Sequence, residues 1–244
     1  YKRLIIGGKM EQFFRTYLLL GAEAMEALKN SHVAVFGVGG VGSFSAEAIV
    51  RSGIGEITLI DFDTVDITNI NRQIPALTTT VGELKTQVMK QRLLSINPEL
   101  KINIFSEKYL PENSEEFFGV RYDYVVDAID IVTSKIHLIK TCRERGIPVI
   151  SSMGMGNKTD PTKIQITDLS KTSVCPLAKV MRKELRDRGI THLDVVYSTE
   201  NARKPVESIS SAGKREVAAS CAFVPSVGGL FMASFVIRKL AGEI

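Results

Sequence analysis

One short stretch limits the fold more than any other. His32-Val-Ala-Val-Phe36 is an apolar run of strand type, and Gly37-Val-Gly39-Gly40-Val-Gly42 follows it directly. Val41 to Arg51 then reads as a helix, with Phe44, Ala48 and Ile49 on one face, and Ile57 to Ile60 as the next strand. A strand, glycine turn, helix and strand in this order make a unit whose two strands run parallel. The first glycine permits a tight turn, the second lets backbone approach a phosphate, and the third lets helix and strand pack. The helix amino end offers free N–H groups to phosphates. Asp61 follows about twenty residues on, where a carboxylate accepts from ribose hydroxyls. The fingerprint suits NAD, FAD or ATP alike; a turn serving packing alone is the plainer alternative.

The same alternation continues. Lys85 to Ile96 is helical and stops at Asn97-Pro98; Ile102 to Phe105 and Tyr124 to Asp127 are strands; Ser134 to Arg145 is a helix closed by Gly146; Pro148 to Ile150 starts another strand. The pattern predicts an α/β fold, a Rossmann-like doubly wound and mostly parallel sheet with ligands at the carboxyl ends of its strands. Ala22 to Lys29 is a short helix before it. Later the pattern changes: Lys163 to Thr167 alternates like an added antiparallel strand, Pro176 to Arg188 is an amphipathic helix stopped by Gly189, and Val195 to Ser198 is a strand. Thr199 to Arg215 is a polar loop. The expectation is one domain over 1–244, nucleotide-binding over about 20–155 and facing its substrate over about 156–244.

The segment after the second strand has more polar groups than a dinucleotide fold needs. It reads Asp61-Phe-Asp63-Thr-Val-Asp66-Ile-Thr-Asn69-Ile-Asn71-Arg72-Gln73, with Lys85 opening the next helix and Asp127 and Asp130 ending the Tyr124 strand. Carboxylates with Arg and Lys at a phosphate edge suggest reaction at phosphorus: cations stabilise developing charge, and an aspartate can hold Mg²⁺. Singly, each residue is more simply an exposed loop polar. A dehydrogenase would leave Arg72, Lys85 and Asp130 without a task, and a regulatory module would bind nucleotide without turning it over.

Charge and cysteines narrow the class. Between Lys171 and Arg215 stand ten Lys and Arg against five Asp and Glu, more than the whole net charge of +4. A local basic surface suits a polyanion such as RNA, although on charge alone a solvated helix face is the plainer reading. Cys142, Cys175 and Cys221 form no CxxC pair, so no zinc site and no disulfide framework is expected, and a reducing cytoplasm is. Tyr1 to Gln12 has no long apolar run, so no export signal is expected. The stretch 217–237 is uncharged and long enough to span a bilayer. Pro225, Gly228, Gly229 and three serines interrupt it, so it reads as a buried strand or loop and then a core helix, Val227 to Leu240, with a membrane anchor the minority alternative.

Taken together, Gly37 to Gly42, Asp61 to Gln73, Lys85 and Asp127 to Asp130 resemble the ubiquitin-activating-enzyme-like superfamily, which includes the sulfur-carrier adenylyltransferases. The likeness is strongest to the tRNA threonylcarbamoyladenosine dehydratases, carried also by Arg15 to Gly21, Asp160 to Asp168 and Pro176 to Arg186. The resemblance implies an adenylate-forming enzyme with ATP and Mg²⁺. Gly37, Gly39, Gly40 and Gly42 would cradle phosphate and Asp61 would bind ribose. Asp63, Asn69, Arg72, Gln73 and Lys85 would surround the phosphates, and Asp130 would hold the metal. Arg15 would reach the triphosphate of a second subunit in a homodimer. Modified tRNA would bind the basic helix through Lys179, Arg182, Lys183 and Arg186, with Arg203, Lys204, Lys214 and Arg215 nearby; a sulfur-relay protein is a further implied partner. The two CxxC pairs of the sulfur-carrier enzymes are missing. Cys175, before a helix, and Cys221, in an apolar run, are the candidates for a thioester thiol, and a tethered intramolecular nucleophile needs neither.

Overall fold

Apolar strands of four or five residues need cover on both faces, and the helices between them supply it. The computed structural model describes residues 11–207 and 218–244. In chain order these form α1 (Phe14–Lys29), β1 (His32–Phe36), α2 (Gly42–Arg51), β2 (Glu56–Ile60), α3 (Lys85–Ile96), β3 (Lys101–Phe105), β4 (Tyr124–Asp127), α4 (Val132–Glu144), β5 (Val149–Ser152), β6 (Ile164–Asp168), α5 (Pro176–Arg186), β7 (Asp194–Ser198) and α6 (Phe223–Leu240). The strands join in one sheet of order β3-β2-β1-β4-β5-β7-β6. All neighbours are parallel except β6 and β7, which are antiparallel as the alternation of Lys163 to Thr167 predicts.

From β1 the chain winds outward to β2 and β3, then returns to place β4 on the other side of β1. That reversal opens a crevice at the carboxyl ends of β1 and β4. The register sharpens it: Phe36 pairs with Ile60 on one side and Asp127 on the other, and Asp127 pairs with Ser151. Strand ends therefore finish level, and Gly37, Asp61, Ala128 and Ser152 emerge along a common edge. One core, on the α1, α2, α3 and α6 face, centres on Val33, Val35, Ile49, Leu59 and Val236. The other, on the α4 and α5 face, centres on Phe36, Phe117, Leu138 and Met181.

Several elements differ in their bounds from the sequence expectation, α4 among them, which begins at Val132 and not Ser134, and three others differ for a reason the chain explains. The first helix begins at Phe14, not Ala22, and Gly21 breaks it with φ +83°, so Arg15 to Leu20 is a separate helical piece. The last helix begins at Phe223, four residues before Val227, with Pro225 in its first turn. There the missing N–H costs nothing, because first-turn amides have no acceptor in the helix. α5 ends at Arg186, and Arg188 turns its guanidinium back to the Glu184 carbonyl before Gly189 reverses the chain at φ +77°. One helix among the described residues, α6, is long and apolar enough to cross a membrane. It is a core element here: Val224, Met232, Val236 and Ile237 are buried, and Ser45 of α2 donates to the Gly229 carbonyl at 2.9 Å. Lys214, Arg215 and Val217 lie outside the described residues.

Candidate functional site

A cavity of about 630 Å³ occupies the crevice. Its floor is the glycine turn. Gly37 has φ +88°, and a Cβ there would stand 2.7 Å from the Ala128 carbonyl oxygen, so the turn and the end of β4 touch directly. A Cβ on Gly42 would collide with the Gly37 carbonyl. Gly42 thus closes the helix onto the strand and is not a cavity residue, whereas Gly37, Gly39 and Gly40 are. At Gly39 the only neighbour of such a Cβ among the described residues is the Gln73 amide, at 3.8 Å, so glycine leaves that space open. α2 has no side-chain cap, which leaves its amino end to a ligand.

Two loops carry the charged groups. After β2, the buried Asp61 accepts the amides of Val38 at 2.7 Å and Asp63 at 2.9 Å, tying the glycine turn to its own loop. Burial raises its carboxyl above the usual range, and Lys85 opposes the shift. Lys85, almost wholly buried, donates to Asp63 at 2.8 Å. Arg72 is steadied by the Thr68 carbonyl and Asn71 Oδ1, both at 2.9 Å. The Gln73 oxygen is buried without a hydrogen-bond partner among the described residues, which leaves it available to a ligand. After β4, Asp130 is exposed and makes no hydrogen bond or ion pair among the described residues. Asp61, Asp63, Arg72, Gln73, Lys85 and Asp130 all line the cavity. Glycine cradle, two cations and an open carboxylate fit a nucleoside triphosphate.

Asn69 does not join them. It is buried, and its Oδ1 accepts the Asp66 amide at 3.1 Å while Asp66 caps Thr68. It shapes the loop that delivers Arg72 and Gln73. Arg15 is exposed on α1, away from its own chain's cavity. On α5, Lys179, Lys183 and Arg186 are exposed along one face, but Arg182 is half-buried and bonds the Thr172 carbonyl and hydroxyl. Its guanidinium belongs to the fold and not to a free basic surface.

Other wall residues went unnoticed in the sequence. Glu107, Lys108 and Tyr109 follow β3, Ser152 ends β5, and Met153 to Gly156 follow it. The rule that ligands sit beyond strand carboxyl ends would have marked both segments. Ser152 to Gly156, with Leu177, Ala218, Ser220 and Pro225, extends the cavity beyond the glycine turn. Lys158 supports this end from below, donating to the Gly154 carbonyl at 2.6 Å, and burial lowers its pKa. Cys175 is buried, and Cys221 donates to the Lys158 carbonyl at 3.4 Å; neither lines the cavity.

The ThiF family model matches residues 13–243. The tRNA threonylcarbamoyladenosine dehydratase of Bacillus subtilis (strain 168) is 49% identical over 245 residues, 96% of either chain. The structure of Escherichia coli tRNA N6-threonylcarbamoyladenosine dehydratase in complex with ATP superposes with a TM-score of 0.86 at 38% identity, over 95% of this chain and 94% of that one. The same enzyme in complex with AMP gives 0.86 at 39% identity. Similarity over almost the whole chain, a shared fold and the glycine-floored cavity agree that the chain belongs to the ThiF family, in its tRNA threonylcarbamoyladenosine dehydratase branch.

Proposed function

We infer that this chain is an ATP-dependent dehydratase that cyclises threonylcarbamoyladenosine in tRNA through an acyl-adenylate. The observation that carries this reading is the single cavity holding the glycine turn, Arg72, Lys85 and the open Asp130 carboxylate. A free carboxylate is a poor acyl donor because oxide is a poor leaving group. Its oxygen attacks the α-phosphorus of ATP, the bond to the β-phosphate breaks, and pyrophosphate departs. Arg72 and Lys85 stabilise the charge on the phosphates, and the glycine turn and α2 hold them in line. The neighbouring ureido group then closes on the activated carbonyl carbon and expels AMP. The oxygen lost by the substrate leaves in AMP, so the net change is loss of water. The ring-closing nucleophile is tethered next to its target, and a cysteine is not needed.

Asp130 is the residue that would hold Mg²⁺. Such an ion takes one or two protein carboxylates beside phosphate oxygens, and neutralises phosphate charge. Arg15 enters through a homodimer, in which it reaches a triphosphate bound by the partner. The tRNA lies along α5, whose first turn lines the cavity through Leu177 and whose Lys179, Lys183 and Arg186 lead away from it. This reading puts the enzyme in the cytoplasm with its tRNA, and adds a sulfur-relay protein as a further partner.

The decisive experiment is AMP release from ATP with tRNA bearing threonylcarbamoyladenosine, against the same tRNA unmodified. AMP only with modified tRNA, and loss of one water mass from that nucleoside, are expected. No AMP with either tRNA, but ATP–pyrophosphate exchange with a carrier protein, would replace this reading by a carrier-protein adenylyltransferase. A second test concerns α5. Lys179→Glu with Lys183→Glu is expected to weaken tRNA binding and to reduce its salt slope by about 0.9 for each phosphate that is no longer neutralised. Unchanged affinity and slope would take the tRNA off this helix. Arg182 is not used, because its reversal would also break the hydrogen bond to Thr172.

A further inference from the structure

Behind the Asp130 wall lies a cluster that the proposed chemistry does not use. Asp127 at the end of β4, Lys135 one turn into α4 and Ser151 on β5 are wholly buried. Lys135 Nζ donates to Asp127 Oδ2 at 2.7 Å and to Ser151 Oγ at 3.1 Å, and Ser151 Oγ donates to Asp127 Oδ2 at 2.7 Å. One carboxylate oxygen is thus fixed by two donors. The other, Oδ1, accepts the backbone amide of Ile129 at 3.1 Å. None of the three residues lines the cavity.

An ion pair without solvent is a poor device for stability alone, since apolar residues of similar volume commonly do as well. What it adds is direction. The segment between β4 and α4 is only Ala128 to Ile131, and it is held at each end by backbone: Ala128 N to Phe36 O at 2.8 Å, Lys135 N to Ile131 O at 2.9 Å. Between those points the one side-chain anchor on its amides, among the described residues, is Asp127 Oδ1. Asp130 comes next in the chain and has no hydrogen bond to orient it, so its aim follows from the peptide before it. Lys135 and Ser151 prevent the Asp127 carboxylate from rotating and letting that peptide go.

We propose that Asp127 and Lys135 are positioning residues for adenylation: Lys135 locks the Asp127 carboxylate, Asp127 locks the Ile129 amide, and Asp130 is thereby aimed at the phosphates. This rests on the reading in which Asp130 acts at the phosphates. The sequence hint is a lysine in line with Ile131, Leu138 and Cys142, on what is otherwise an apolar face of α4.

The test removes the whole cluster while preserving volume, with Asp127→Leu, Lys135→Met and Ser151→Ala together, so that no buried charge is left unpaired and the Ile129 amide loses its one side-chain acceptor. Amide hydrogen exchange at Ile129 to Ile131 is expected to speed up roughly tenfold, the scale of one hydrogen bond removed. The kcat for AMP formation is expected to fall by up to about 100-fold, with KM for tRNA unchanged, as for a misplaced catalytic group. Ser151→Ala alone, which keeps the ion pair, is the milder probe in case the triple variant does not fold. It is expected to speed the same exchange and lower kcat by a few-fold, with KM for tRNA again unchanged. Wild-type exchange and kcat in a folded variant would overturn the proposal and leave the cluster as packing. Faster exchange at unchanged kcat, with Asp130→Ala also active, would instead remove Asp130 from the chemistry and the positioning role with it.

Discussion

Replacing Asp130 with alanine is expected to cut AMP formation by about 10²–10³-fold, or roughly 2.7–4 kcal/mol of transition-state stabilisation. The melting temperature is expected to stay within about 2 °C, since an exposed side chain outside any network is worth no more than about 0.5 kcal/mol. The separation of the two effects follows from the geometry. Asp130 is exposed, makes no hydrogen bond among the described residues and faces the cavity that Arg72 and Lys85 also line. No hydrogen bond or ion pair among the described residues is lost with it. Lys85 offers no such clean separation, because its loss would leave Asp63 without its 2.8 Å partner and disturb the loop after β2. The measurement is single-turnover AMP formation on modified tRNA across a Mg²⁺ titration. Wild-type turnover at saturating Mg²⁺ in the variant would remove Asp130 from the reaction. A defect that shrinks as Mg²⁺ rises would mark it as a metal ligand.

The sequence was most informative where a single physical demand fixed the residue. His32 to Phe36, Lys85 to Ile96 and Tyr124 to Asp127 have the bounds read from the chain, because a buried strand has an apolar centre and a helix must end at Asn97-Pro98. The glycine turn was legible for the same reason, and the structure divides its glycines between floor and packing. Side-chain direction was not legible. Asn69 and Gln73 both stand in a polar loop, yet one caps that loop and the other faces the cavity. Arg182 and Lys183 are neighbours on a basic helix, and only the turn of α5 against Thr172 decides which one is free. Lys135 was missed because a buried lysine is rare, and its partner Asp127 is eight residues away across a strand-to-helix turn. The start of α6 was missed because Pro225 reads as a breaker until it is placed in a first turn.

The second large effect is expected at Gly229. α6 crosses α2 so closely that a Cβ on Gly229 would lie 2.9 Å from Phe44 Cβ and 3.1 Å from Ser45 N, and would overlap the Val41 carbonyl. Backbone cannot retreat as a flexible side-chain tip can, so Gly229→Val must push the two helices apart. Overpacking of this kind costs about 1–3 kcal/mol or more, which in a domain of this size lowers the melting temperature by roughly 2–12 °C. The consequence reaches the site. Pro225, one turn before Gly229, stands where a Cβ on Gly40 would be 3.2 Å away, so α6 buttresses the glycine turn from behind. The same substitution is therefore expected to weaken ATP binding, although Gly229 does not line the cavity. Gly228→Ala is the control: its Cβ would meet the flexible end of Met155, at 3.1 Å, which can move aside. Thermal melts and calorimetric ATP titration of both variants check this. A Gly229→Val protein with wild-type stability and ATP affinity would mean that α6 does not pack on α2 as a core helix. The membrane alternative for that segment would then reopen.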